Sequence, residues 1–365
     1  MKRKCLFALS IIPLLLGSCS LLDFAQNDKH GSEDKSENTS SGQSSSGNHT
    51  STTDIDEVTT NTDTGGSHTT DTSSGDNTSS GDTSSGESSS SGSSSGSGSS
   101  SGGSGSGELD DLYSACQTQH ANKNASKLYD AIYDTIKKGK AGSYNQLWTT
   151  YCTAYVRADG KIFDYYSSIT NYVPGGSAQG ASYKKEGDSY NREHSIPKSW
   201  WGGATTNQGA DPYIVVPTDG YVNNARGNYT FGMVASATKT YSNSKLGSGK
   251  SEFGYTGTVF EPDDSVKGDF ARIYFYAIAK YSAYGWTSGD GSKNFSGSQS
   301  KNLGLTDYAV KLYTYWNELD PVSEWEISVN NKVAPIQGNR NPFIDHPEYV
   351  NTLWGSHADA TKYTH

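Results

Sequence analysis

Cysteine is scarce in this chain, with 4 in 365 residues, and none of the four has zinc-ligand spacing. A structural zinc cluster is therefore excluded. Long hydrophobic runs are missing too. The most apolar stretch, residues 5–18, is too short to cross a bilayer. No other segment is apolar enough to do so, which excludes a spanning helix as an anchor. Residues 20–107 have almost no large apolar side chains and consist mainly of Ser, Thr, Gly, Asp and Asn. Such a segment cannot bury enough surface to offset its ordering entropy.

What is present divides the chain into unlike parts. Residues 1–4 carry three cations, the apolar stretch follows, and Leu16-Gly17-Ser18-Cys19 closes it. This pattern predicts a signal peptide over 1–18 with a lipobox, so that Cys19 becomes a lipidated N-terminus and the membrane a partner through that lipid. An ordinary signal peptide with an incidental Cys19 is the competing reading. Residues 19–107 then form a disordered tether, with a reach of roughly 50 Å as a Gly/Ser coil. Near-repeats such as Thr72-Ser73-Ser74-Gly75-Asp76 mark it as low complexity, not as a folding unit. Residues 108–365 are long enough for one sizeable core.

The charge follows the same division. The net charge is −10, yet residues 20–107 hold 2 Lys against 13 Asp and Glu, while residues 108–365 hold 24 Lys and Arg against 26 acids. The folded part is thus near neutral. A polyanionic partner would need a locally positive groove there. Candidate cations are Lys184, Lys185, Lys198, Arg226 and Arg340. Cys116 and Cys152 are an even pair in a segment expected to be exported, and a disulfide between them is an even expectation.

Three motifs carry chemistry. The first is Tyr190-Asn191-Arg192-Glu193-His194-Ser195-Ile196-Pro197-Lys198-Ser199-Trp200-Trp201. The second is Pro217-Thr218-Asp219-Gly220-Tyr221-Val222-Asn223-Asn224-Ala225-Arg226-Gly227-Asn228. The third runs Ile336-Gln337-Gly338-Asn339-Arg340-Asn341-Pro342-Phe343-Ile344-Asp345-His346-Pro347-Glu348. Adjacent strand residues point to opposite faces. Glu193 and His194 can share a site only if the strand ends there or each reaches it from its own side. A metal-assisted hydrolase uses such a pair, one residue holding the ion and the other taking a proton from water.

Together the three motifs resemble the bacterial endonuclease I family of secreted, non-specific nucleases. The resemblance covers roughly residues 108–352. It implies an α+β fold, with a ββα-metal (His-Me finger) core inside surrounding helices and long loops. By that resemblance His194 is the general base, and Glu193 and Asn223 hold a divalent cation, with Asn224 as rival ligand. Mg²⁺ is the first expectation and Ca²⁺ or Mn²⁺ are open. The implied partner is nucleic acid: DNA, with RNA open. Arg226 and Arg340 are candidate phosphate contacts. Against that, Arg226 and Arg192 could instead pin the strands to the helix, and Arg340 could lock the C-terminal segment. Asp345 and His346 read as structural. Members commonly carry Asp-x-His before the Pro of the second motif, whereas this chain has Asp211-Pro212-Tyr213. Residues 203–210 are also short, where some relatives carry arginine-bearing insertions.

Periodicity predicts helices over residues 125–138, 269–282 and 306–317. Residues 144–156 are undecided between helix and strand, and residues 161–168 read as a strand after the turn at Asp159-Gly160. Much of the rest reads as loop. The sum is a lipid-anchored, extracellular, metal-dependent endonuclease. The rival readings are a surface nucleic-acid-binding lipoprotein with weakened catalysis, and a structural lipoprotein on a stalk.

Overall fold

The computed structural model describes residues 106–202 and 206–360. The expected signal peptide, Cys5, the lipobox cysteine Cys19 and the tether up to residue 105 lie outside the described residues. Twelve helices occur among the described residues: α1 Ser106–Leu112, α2 Ser114–Ala121, α3 Ala125–Ile136, α4 Gln146–Ala154, α5 Gly220–Arg226, α6 Lys267–Tyr281, α7 Gly291–Asn294, α8 Asp307–Leu319, α9 Glu324–Gln337, α10 Pro342–Asp345, α11 Tyr349–Trp354 and α12 His357–Ala360. The strands are β1 Tyr190–His194, β2 Val215–Asp219, β3 Val234–Thr240, β4 Lys245–Gly249 and β5 Thr258–Glu261. The fold is α+β.

Helix α6 is the centre of the core. Every residue from Lys267 to Lys280 is buried, so the helix is enclosed on all sides. Helices α3, α8 and α10 pack against it. The predicted helix at residues 125–138 forms as α3, with Leu128, Ile132 and Ile136 buried and Asn124 capping the Lys127 amide. The undecided segment is helical, as α4. Helix α9 begins with a capping box between Ser323 and Glu326, and Pro335 sits in its last turn.

Two sheets form. Strands β1 and β2 pair antiparallel, with Glu193 opposite Val216 and His194 opposite Val215. Strands β3, β4 and β5 form a separate antiparallel sheet in that order. Its Gly- and Ser-rich residues had read as loop. The predicted strand at 161–168 does not form; only an isolated bridge joins Ile162 to Val156. The Asp164 carboxylate accepts the amides of Tyr166 (2.9 Å) and Ser167 (3.1 Å), which turns the chain out of an extended path.

No disulfide joins Cys116 to Cys152. Cys116 is buried on α2 against Thr135 of α3, at 3.7 Å between Sγ and Oγ1. Cys152 lies on α4, with Sγ 4.0 Å from Gln179 Oε1. The two thiols face different neighbours, and this corrects the expected bond.

Candidate active site

The β1–β2 pair leads directly into α5. Asp219 ends β2 and caps α5, accepting the Val222 amide at 2.8 Å. Asp219 is itself held: its other carboxylate oxygen accepts Tyr172 Oη (2.7 Å) and the Gly187 amide (2.8 Å). Asp164 accepts the Asp219 amide at 3.0 Å. The start of α5 is therefore pinned to two loops, and the helix is fixed against β1.

Glu193 and His194 reach opposite sides of β1, as adjacent strand residues must. Glu193 points toward α5. Its Oε1 accepts Arg226 Nη1 at 2.5 Å and Tyr166 Oη at 2.7 Å. Among the described residues no hydrogen bond reaches Oε2. Burial raises the pKa of the Glu193 carboxyl, while Arg226 and Tyr166 pull it back.

Arg226 is 1% exposed. Besides Glu193 it donates to the carbonyls of His194 (3.0 Å), Ser195 (2.8 Å) and Tyr229 (3.1 Å). Its donors are committed inside the protein, so the expectation of a phosphate contact is corrected. Arg340 is half-buried and paired with an acid of its own motif. Its guanidinium forms a bidentate pair with Asp345 through Nε and Nη2, both bonds at 2.7 Å. Asp345 also accepts Tyr113 Oη and Asn330 Nδ2, which makes it a clamp for the C-terminal segment.

His194 ends β1, where the chain turns away toward Pro197. Its Nε2 lies 3.0 Å from the Gly209 carbonyl oxygen. A carbonyl can only accept, so Nε2 carries the proton and Nδ1 keeps its lone pair. The ring is shielded by Tyr144, stacked at 5.6 Å between centroids, and by Trp201 edge-on at 6.3 Å. Burial pushes the imidazole pKa down to about 3, with the Lys198 ammonium adding to the effect. The free site thus holds a neutral imidazole throughout the physiological range.

Asn223 is half-buried on α5, one helical turn before Arg226, and the two share a side of the helix. From the same helix Arg226 reaches Glu193. Asn223's side chain makes no hydrogen bond among the described residues. Asn224 is exposed. The Glu193 Oε2 atom and the Asn223 amide oxygen are two unclaimed hard donors. This set suits a divalent cation that completes its shell with water. No group of three or more His, Cys, Asp and Glu side chains forms a metal cluster among the described residues.

Four further residues support the site, and two of them, Tyr144 and Gly209, carry no motif signal. Tyr166 fixes one oxygen of Glu193. Tyr144 covers His194. Gly209 acts through its backbone carbonyl, which no side-chain pattern can reveal. Asp211 is fully buried; Oδ2 accepts Tyr276 Oη (2.8 Å), Tyr281 Oη (2.7 Å) and Gln337 Nε2 (2.7 Å), which anchors the turn carrying Gly209. Tyr213, in the position where the family often has histidine, is a core residue. Its hydroxyl donates to Asn330 Oδ1 at 2.7 Å and its ring packs edge-on to Tyr276.

Comparison with known proteins gives the family. The model of the Endonuclease I family matches residues 121–348. The chain therefore belongs to the endonuclease I family and is an endonuclease. An extracellular ribonuclease of Bacillus amyloliquefaciens is 31% identical over 244 residues, spanning 64% of this chain and 76% of the relative. One of Bacillus subtilis is 30% identical over 246 residues, spanning 64% and 75%. An extracellular deoxyribonuclease of Aeromonas hydrophila is 26% identical over 214 residues, spanning 54% and 80%.

Proposed function

We propose that this endonuclease hydrolyses phosphodiester bonds of nucleic acid outside the cell, without strict sequence preference, and that it needs a divalent cation. The observation that carries the reading is the His194 tautomer. A proton on Nε2 leaves Nδ1 with its lone pair as a base at the end of β1, one residue after Glu193. Water gives a proton to Nδ1, and the resulting hydroxide attacks phosphorus. The bond to the opposite ester oxygen breaks, and that oxygen takes up a proton. The Gly209 carbonyl keeps the ring in its basic tautomer, and Tyr144 keeps bulk water off one face. A base with so low a pKa is weak, but the anionic substrate raises it by bringing negative charge beside the ring.

Glu193 and Asn223 would hold the cation, Mg²⁺ first with Ca²⁺ or Mn²⁺ open, and Arg226 and Tyr166 would orient Glu193. Once bound, the ion supplies positive charge against the phosphoryl and leaving oxygens. The arrangement of β1, β2 and α5 is what a ββα-metal core would need, and we read it as one. The relatives include both ribonucleases and deoxyribonucleases, so DNA and RNA are both retained as substrates.

The sequence pattern of residues 1–107 supports export, a flexible tether and lipid attachment at Cys19. Membrane fractionation of Cys19→Ser tests that part; retention at the wild-type level would overturn it. Plasmid nicking with and without Mg²⁺ tests the enzyme reading. His194→Ala should lower the rate by at least ~10²-fold while binding survives. Nicking by His194→Ala at the wild-type rate would remove the histidine from this role.

A further inference from the structure

Attack on a phosphodiester needs a cation beside the phosphate's non-bridging oxygens. Between Arg192 and Arg226 the chain has one Lys or Arg, Lys198. The two arginines at the ends of that stretch are occupied. Arg226 is buried on Glu193 and backbone carbonyls, as described. Arg192 lies with its guanidinium 3.6 Å from the Tyr144 ring centroid and 4.5 Å from that of Trp148. It also donates to the Tyr144 carbonyl (3.2 Å) and Asn145 Oδ1 (3.1 Å), which holds the start of α4 against β1.

Lys198 differs from both. It is exposed and has no ion pair among the described residues. Pro197 and the single 3-10 turn Lys198–Trp201 set its backbone directly after the histidine strand. Its Nζ lies 5.7 Å from the Tyr144 ring centroid, and that ring stacks on His194. The ammonium is therefore on the rim of the histidine pocket. The segment that follows, residues 199–213, has no Lys or Arg at all.

We propose that Lys198 contacts a non-bridging oxygen of the scissile phosphate and is the protein's cation for the transition state. The proposal rests on the nuclease reading above. Tyr144 serves as its shelf: one ring sets the height of both the lysine and the histidine.

The test uses the purified folded protein and a fluorescent oligonucleotide duplex with Mg²⁺. The variants are Lys198→Met, Lys198→Arg and, as a matched surface control on α3, Lys127→Met. Lys198→Met should lose about 10²-fold or more in kcat/KM, the usual loss when one transition-state donor is removed. Lys198→Arg should recover to within about tenfold of wild type, and Lys127→Met should match wild type. The slope of log Kd against log salt should fall by about one for Lys198→Met, one phosphate contact. Equal kcat/KM for Lys198→Met and wild type would overturn the proposal. So would a Lys198→Met loss that Lys198→Arg does not restore. A wild-type protein that cleaves nothing would instead defeat the nuclease reading itself, so the two failures are distinguishable.

Discussion

Replacing Arg226 with Met separates the two roles open to it. In the structure Arg226 neutralises Glu193 inside the protein and satisfies three backbone carbonyls. Methionine keeps much of the aliphatic volume and removes every donor. Breaking one side of a buried ion pair costs about 3–5 kcal/mol, because the remaining charge is left in a poor medium. The carbonyls of His194 and Tyr229 lose their side-chain donor as well, while Ser195 keeps Tyr274 Oη at 3.2 Å, and each unsatisfied group adds roughly 1 kcal/mol unless water enters. A total of about 5–7 kcal/mol is a large part of what holds a typical domain together. For a folded part of this size it corresponds to a fall in Tm of roughly 10–30 °C. Thermal melts followed by circular dichroism would measure it. Glu193→Gln in the Arg226→Met background should recover part of the loss, since the orphaned charge is then gone. A Tm within about 2 °C of wild type for Arg226→Met, with a shallower salt dependence of binding, would refute the reasoning and return Arg226 to the phosphate.

Other outcomes follow from the same contacts. The acidic limb of kcat should lie at higher pH than that of kcat/KM, because the free imidazole sits at about 3 and bound phosphate raises it; coincident limbs near 6.5 would contradict this. Unfolded His194 takes a proton near 6.5 while the folded one stays neutral to about 3. The unfolded state thus binds more protons in that window, and wild type should lose stability relative to His194→Gln as pH falls through it; a constant difference would argue against a buried neutral ring. Tyr213→Phe should cost roughly 1–2 kcal/mol in urea unfolding with cleavage nearly unchanged, and a large loss of kcat would assign it a direct role. Cys116 and Cys152 should both be alkylated in denatured, unreduced protein; recovery of a cross-linked peptide pair would show a bond. Asn223→Ala and Glu193→Gln should each weaken Mg²⁺ binding in calorimetric titration, and unchanged binding in Asn223→Ala would move that ligand elsewhere.

Much of this protein is written locally in its sequence. Helices α3, α6 and α8 follow from apolar residues at helical spacing, and such spacing depends only on neighbours along the chain. The family follows from three motifs whose order and length survive without any coordinates. Local pattern failed where a side chain captured the backbone, as Asp164 did across the expected strand at 161–168. It failed again where Gly- and Ser-rich strands such as β4 pair through their backbones and need little apolar signal. Helix α9 escaped because Asn330, Asn331 and Pro335 weaken its pattern, although Ser323 and Glu326 cap it well.

The roles of the charged residues were settled only in three dimensions. Arg226, Arg340 and Lys198 are all cations in or beside a motif, and their sequence neighbours cannot rank them. What ranks them is whether a carboxylate is already there. Arg226 on α5 meets Glu193 of β1, Arg340 meets Asp345 across the turn into α10, and Lys198 meets no acid among the described residues. The proton position on His194 is likewise set by a backbone carbonyl fifteen residues away. The sequence by itself determined which chemical groups the site owns; burial and long-range pairing decided which of them remain available to a substrate.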